Sequence, residues 1–576
     1  MEQSYQKDQD DELELEGINE DGPLLGRGSP RTKTLAGQTE LDPPLDKVQR
    51  QRQRRRRCYI IFGVVILGCL LIIGLFLPSP TSSSELSRYA EKLEWESQRA
   101  RDMLLRNIGP RVGANDGLVV ASPSRGESED LPDYYYTWTR DSALVYKTLN
   151  TLDSSFPSNL SQFDELLLRD YVQSQLTIQN TANPSGGLDD GGLNEPKFQV
   201  DGKPFVGDWG RPQRDGPALR VLALIPYAHF LLDRAYPADL KYVQDNLYDP
   251  DQIMAPGKVV KNDLEEVSHG WSKSGFDLWE EVNGHHFFTL IVSLRALQAG
   301  SSLAYRLNDT GAELFYSEQA DSIAQKLKVF WNDEKQYYLS TIPSLRLDGD
   351  NTPTSLPERE WLDCSIPLSL IHAGDHIDLD GYGQYNMTIP VFSATNPEVI
   401  STLHRYILSF DGLYKINGNI GSWTQGWALG RYREDVYDGV RKSKANPWHI
   451  CTNAIAQSFY IMEAEHRTQG YIDTTESTKQ FWNQALRKTV KPGRRYGTGG
   501  KSFEKALKRL REIGDRYLDV SRDAMDGEGW MSEQIGRNDG KPRGARDLTW
   551  SYASFMSAVK AREEAMASTG NEIVSR

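Results

Sequence analysis

An all-α domain, carried behind one membrane-spanning helix and a disordered tail, is the fold class this sequence predicts. Three features predict it: a nineteen-residue run without charge, helix-period apolar spacing over most of the chain that follows, and loops that concentrate Gly, Pro, Trp, Arg and carboxylates between the helical stretches. Size and composition permit it, since 576 residues with 38% hydrophobic and 10% aromatic content hold enough apolar surface for a large core. A formal charge of −14 argues against nucleic acid as a partner, because neutralising phosphates takes a basic surface.

Residues 1–58 are acidic, then Pro/Gly/Ser-rich, then basic, which predicts a disordered cytosolic tail. Glu20, Leu24 and Leu25 in Glu20-Asp-Gly-Pro-Leu24-Leu25 resemble an acidic dileucine signal, so a sorting adaptor is an expected partner and the vacuole the expected destination, with endoplasmic reticulum or Golgi as alternatives. Residues 59–77, Tyr59 to Leu77, form the uncharged run; at about 1.5 Å per residue it spans a hydrocarbon core of roughly 30 Å as a helix. Lys47, Arg50, Arg52 and Arg54 to Arg57 precede it, whereas Glu85 and Arg88 are the first charges after it, so the positive-inside rule puts the N-terminus in the cytosol. The segment is a signal anchor rather than a cleaved leader, because it lies far from the N-terminus. A short linker, 78–84, then leads to a lumenal domain over 85–570. The sequons at Asn159, Asn308 and Asn386 all fall on that side, which predicts a glycoprotein.

Within the lumenal chain, Phe287, Leu290, Ile291, Leu294 and Leu297 follow the spacing of an amphipathic helix. Similar stretches run near 84–106, 141–152, 163–180, 217–235, 313–331, 397–409, 447–466, 474–488, 502–524 and 547–566. About a dozen helices without a short repeat suit a toroid of paired helices or a large bundle, and periodicity leaves both open. Of the four cysteines, Cys364 and Cys451 fall in this region; a bridge between them and two buried thiols are both compatible with the sequence, and buried thiols are the expectation.

Glycoside hydrolysis needs one carboxyl to protonate the leaving oxygen and a second to act as base or nucleophile. Glu280 and Glu281 beside Trp279, and Glu533 near Trp530, are the candidates, since a neighbouring indole reduces solvation of a carboxyl. Other signals are weaker. Gly497-Thr-Gly-Gly500-Lys501-Ser502 ends like a phosphate-binding loop, but Arg495 stands where that motif needs Gly. Neighbouring histidines such as His285 and His286 do not have metal-ligand spacing.

The loops carry a resemblance. Asp133-Tyr-Tyr-Tyr-Thr-Trp138-Thr-Arg140-Asp141, Gly207-Asp-Trp209-Gly-Arg-Pro-Gln-Arg214-Asp215, Asp277-Leu-Trp279-Glu280-Glu281-Val-Asn283-Gly, Gly430-Arg431-Tyr432, Asn446-Pro-Trp448 and Ser532-Glu533-Gln534, the last followed by Ala545-Arg546-Asp547-Leu-Thr-Trp550, occur in the order in which similar motifs line the pocket of fungal-type glucoamylases, glycoside hydrolase family 15. The resemblance spans residues 133–552. It implies an (α/α)6 barrel and an exo-acting, inverting hydrolase that releases β-D-glucose from non-reducing ends of α-1,4-glucans such as glycogen, dextrins and maltooligosaccharides, without metal or cofactor. It implies Glu280 as general acid and Glu533 as general base, with carboxyls roughly 6.5–9.5 Å apart. It also implies sugar contacts from Arg140, Asp141, Glu281 and Arg431, walls from Trp138, Trp209, Trp448 and Trp550, and Tyr134 orienting the base or its water. One departure is Phe205, where the family often has Tyr. Two alternatives remain: an N-glycan-trimming α-glucosidase, expected to carry a further β-rich domain, and a catalytically inactive glucan-binding tether, which would not need both Glu280 and Glu533.

Overall fold

The computed structural model describes residues 82–152, 160–344, 358–374 and 392–574. The tail, the predicted span, the sorting residues Glu20, Leu24 and Leu25, and the sequons at Asn159 and Asn386 lie outside the described residues. Nearly all described residues belong to one compact unit, Glu85–Arg576.

Fourteen α-helices occur among the described residues: α1 Ser82–Arg106, α2 Thr139–Leu152, α3 Gln162–Gln179, α4 Asp215–Arg234, α5 Pro237–Asn246, α6 Val259–Gly270, α7 Phe287–Arg306, α8 Thr310–Leu327, α9 Ser365–Ala373, α10 Pro397–Leu408, α11 His449–Gln469, α12 Lys479–Leu486, α13 Lys501–Asp523 and α14 Thr549–Val574. Contacts run α2 to α4, α4 to α7, α7 to α9, α9 to α11, α11 to α14 and α14 back to α2, which closes a ring of six inner helices. In chain order each inner helix is preceded by an outer one: α1, α3, α6, α8, α10 and α13. The outer ring closes through side chains of α1, where Tyr89 donates to Asp519 of α13 and Arg101 pairs with Asp164 of α3. This is an (α/α)6 barrel.

The two rings differ in composition for a physical reason. An outer helix buries one stripe: in α13, Phe503, Ala506, Leu507, Leu510, Ile513, Gly514, Tyr517 and Leu518 are buried at helix spacing. An inner helix is covered on all sides, so α7 is buried from Phe287 to Ala304, mostly apolar, with Arg295 and Gln298 buried too and hydrogen-bonded to each other. Fully burying each of its large side chains contributes roughly 1.5–3 kcal/mol. Among the described residues, α7 is the one helix long and apolar enough to cross a membrane, and its complete burial identifies it as core. Where the rings touch closely, Gly514 meets the Tyr460 ring, leaving no space for a larger residue. Turns are fixed locally, as where Asn396 caps α10 through the Glu398 amide ahead of Pro397.

The strands among the described residues are two to four residues long and sit in the loops: β1 Thr137–Trp138, β2 Lys197–Phe198, β3 Gly275–Phe276, β4 Asn283–His286, β5 Trp331–Asn332, β6 Tyr337–Tyr338, β7 Thr341–Pro343, β8 Tyr471–Thr474, β9 Arg494–Gly497, β10 Gln534–Ile535 and β11 Pro542–Arg543. The helix expected near 474–488 is shorter, and β8 occupies its start. Cys364 and Cys451 are free, buried thiols.

Candidate active site

The loops from outer to inner helices bring the predicted residues together. β3 pairs antiparallel with β4, Gly275 opposite Gly284, and β4 pairs with β7, so residues 277–282 close a braced hairpin. Its turn is tied by Asp277, whose carboxyl accepts the amides of Glu281 (2.7 Å) and Val282 (2.8 Å) and whose carbonyl accepts the Glu280 amide (2.9 Å). Glu280 adopts φ of 65°, a conformation that costs a side-chain-bearing residue about 1–3 kcal/mol. The two adjacent glutamates consequently have separate partners. Oε1 of Glu280 accepts from Trp138 Nε1 (2.8 Å), Gln213 Nε2 (3.1 Å) and Arg140 Nη2 (3.3 Å). Glu281 accepts from Arg431 on Oε1 (2.9 Å) and from Arg359 and Tyr432 on Oε2 (each 2.6 Å). Burial raises the Glu281 carboxyl, but Arg431 and Arg359 outweigh it and hold the group below its ordinary range.

Arg140 and Asp141 open α2 and form a buried floor, with Arg140 donating to Gln213 (2.8 Å) and Asp215 (3.1 Å). Burial pushes Asp141 up to about 6 against the pull of Arg140. Above the floor, Trp138 tilts against Tyr134 at 5.7 Å between ring centroids and meets Trp209 edge-on at 6.0 Å. β1 pairs with β2, Trp138 opposite Lys197, and this register places the Lys197 ammonium 3.6 Å from the Trp209 ring centroid and 4.0–4.6 Å from Tyr136, Phe205 and Trp138. Burial pulls Lys197 down to about 8. Phe205 therefore serves as one wall of a lysine cage as well as packing edge-on to Trp209.

Glu533 sits just before β10, buried at 1% exposure. Its amide donates to Ala545 (2.8 Å), and Gln534 Nε2 donates to its Oε2 (3.2 Å). Gly544, at φ of 68°, lies where any Cβ would collide with that carboxylate oxygen. Burial pushes Glu533 up to about 8, opposed by the Tyr134 hydroxyl, the Arg431 charge and the Ala545 amide. Tyr134 also shares a 2.7 Å hydrogen bond with Tyr437. Arg431 is fixed by Asp435 through Nε (2.8 Å) and Nη2 (2.7 Å), and its guanidinium lies 5.2–5.4 Å from the rings of Trp448, Trp279 and Tyr437. The indole N–H groups of Trp209, Trp279 and Trp448 are buried without a partner among the described residues, which suits a site shaped for a polar ligand.

One placement differs from the sequence reading. Trp530 is exposed at 36% whereas Glu533 is 1% exposed, so the carboxyl is buried by more than that indole. Trp550 stands in the first turn of α14, buried at 7% exposure, and lines a small cavity with Leu144, Leu368 and Ile450. The residues the sequence reading passed over are Lys197, Gln213, Asp277, Arg359, Tyr432 and Tyr437. Gln213, Asp277 and Tyr432 stand inside the recognisable loops, whereas Lys197 and Arg359 reach the site through pairing and folding that no local pattern reveals.

Comparison with known proteins agrees with this fold. The family model for glycosyl hydrolases family 15 matches residues 98–560. A glucoamylase of Blastobotrys adeninivorans is 35% identical over 81% of this chain and 70% of its own length. A probable glucoamylase of Schizosaccharomyces pombe is 33% identical over 84% of this chain and 94% of its own. The solved family 15 glucoamylase of Hypocrea jecorina superposes with a TM-score of 0.71 at 34% identity, covering 83% of this chain and 73% of that one. The chain belongs to glycoside hydrolase family 15, the glucoamylase family.

Proposed function

We propose that this site removes single glucose units from the non-reducing ends of α-1,4-glucans with inversion, releasing β-D-glucose from glycogen, dextrins or maltooligosaccharides. The observation that carries the reading is the pair of carboxyls set on either side of the Trp138–Tyr134 rings, Glu280 among fixed donors and Glu533 buried beside Tyr134. Glu280 protonates the glycosidic oxygen while Glu533 takes a proton from the water that attacks the opposite face. Arg140 and Asp141 grip the terminal glucose at the buried floor, and that closed floor explains exo-action, because only a chain end fits.

The pair works with one proton between its two carboxyls. Burial favours a proton on Glu533, whereas the base must be ionised to act. A sugar ring arriving beside Glu280, whose side chain is 18% exposed, displaces water from it. The oxocarbenium-like sugar that develops during cleavage favours an ionised Glu533. Proton NMR of the products from maltotriose tests the reading. β-Glucose should appear first; α-glucose would overturn inversion, and absence of glucose would favour a glucan-binding tether.

We also propose that the domain is lumenal, anchored by residues 59–77 and delivered to the vacuole through Glu20, Leu24 and Leu25. Asn308 supports this reading: it is exposed in the turn between α7 and α8, where a glycosyltransferase can reach it. Glycan is expected on the peptide containing Asn308 in protein from the native cell, detected by mass spectrometry before and after endoglycosidase treatment. An unmodified Asn308 throughout would remove this support.

A further inference from the structure

The sugar that leaves must be held as well as the glucose that is released. We propose that Arg359 is a specificity-determining residue for the leaving-group sugar, acting as the positioning partner of Glu281. The inference rests on the proposed function, since the flank of Glu280 that carries Glu281 is the leaving-group side only if Glu280 protonates a glycosidic oxygen.

Two polar clusters flank Glu280. Arg140, Asp141 and Asp215 are 5%, 9% and 1% exposed, a dead end suited to the terminal glucose. The side chains of Glu281 and Arg359 are 28% and 14% exposed, so a longer glucan continues on this more open side. Arg431 and Tyr432 reach Glu281 from one loop, already anchored by Asp435. Arg359 arrives from a different part of the chain, just ahead of α9, and among the described residues it is the donor to Glu281 from outside that loop. A carboxylate offers about four acceptor positions. Three donors on Glu281 leave about one, and their fixed directions aim it for a sugar hydroxyl.

The backbone around Arg359 is held in place at some cost. Trp361 has φ of 57°, a region that a bulky aromatic residue rarely adopts, and its carbonyl is tied to the Ser340 amide at 2.7 Å. The Arg359 guanidinium is stacked 4.1 Å from the Tyr432 ring centroid and lies 5.9 Å from that of Trp361. The turn thus delivers a planar cation, held over the Tyr432 ring, to Glu281, a task that the compact ammonium of lysine performs poorly.

The test compares two substrates that differ only in what leaves: maltose, whose leaving group is a sugar, and α-D-glucosyl fluoride, whose leaving group is not. In the full-length chain, Arg359→Gln should lower kcat/KM for maltose by about tenfold or more, chiefly through KM, and leave glucosyl fluoride within about twofold. Arg359→Lys should fall between wild type and Arg359→Gln on maltose. An equal loss on both substrates in both variants would reduce Arg359 to a structural role, and an unchanged maltose rate would overturn the proposal. Wild-type protein that turns over neither substrate would instead overturn the reading of the site on which the proposal rests.

Discussion

Replacing Glu280 with glutamine should lower kcat for maltotriose by about 10²–10⁴-fold, the range that general acid catalysis supplies. The substitution preserves the local structure. The glutamine oxygen can still accept from Trp138, Gln213 and Arg140, and Arg140 keeps its ion pair with Asp215. What is lost is the ability to give a proton to the departing oxygen. Fluoride leaves α-D-glucosyl fluoride without that proton, so hydrolysis of this substrate should fall far less than that of maltotriose. Steady-state kinetics of both substrates on Glu280→Gln decide the matter. Equal losses on the two would mean that Glu280 binds or orients the sugar and that the acid lies elsewhere, with Asp141 the next carboxyl to test because burial pushes it up to about 6.

The helices were legible where burial is one-sided and obscure where it is not. Periodicity identifies α13 because its apolar stripe faces a single neighbour. It misses α6, where Lys261, Asp263 and Glu265 are buried and satisfied by Asp309, Arg220 and Tyr316, so that charges occupy positions a hydrophobic pattern would fill. It also misses α9, nine buried residues with no polar face and a proline inside. Ring closure was beyond reach for a different reason: the contact of α14 with α2 joins the two ends of the domain, and spacing along the chain carries no information about it. In the site, Glu280, Glu281 and Glu533 were legible because their loops keep a recognisable order. Lys197 and Arg359 were not, because each acquires its role from a strand register or from a turn that folds in from another part of the chain.

Glu533→Gln should be the other severe loss, about 10²–10⁴-fold in kcat, and here glucosyl fluoride offers no escape. Water must be deprotonated whichever group leaves, so both substrates should fall together, in contrast to Glu280→Gln. The pH profile separates the roles further. Because burial raises Glu533, it holds a proton below about 8 and releases it as the pH rises through that value. For maltotriose, wild-type kcat/KM should decline as the pH approaches about 8, since the fully ionised pair has no acid. For glucosyl fluoride, which needs the base alone, it should instead rise over the same range. Opposite pH responses to two substrates sharing one glucosyl group require a single proton to be divided between an acid and a base. Glu533→Gln should remove the part of these limbs that Glu533 contributes, leaving only what Lys197, also pulled down to about 8, contributes. If both substrates declined in parallel in wild type, or if the limb persisted undiminished in Glu533→Gln and in the double variant with Lys197→Met, the base would have to be reassigned. Tyr134 then identifies where to look, because its hydroxyl lies between Tyr437 and the buried carboxyl and would orient any water held there.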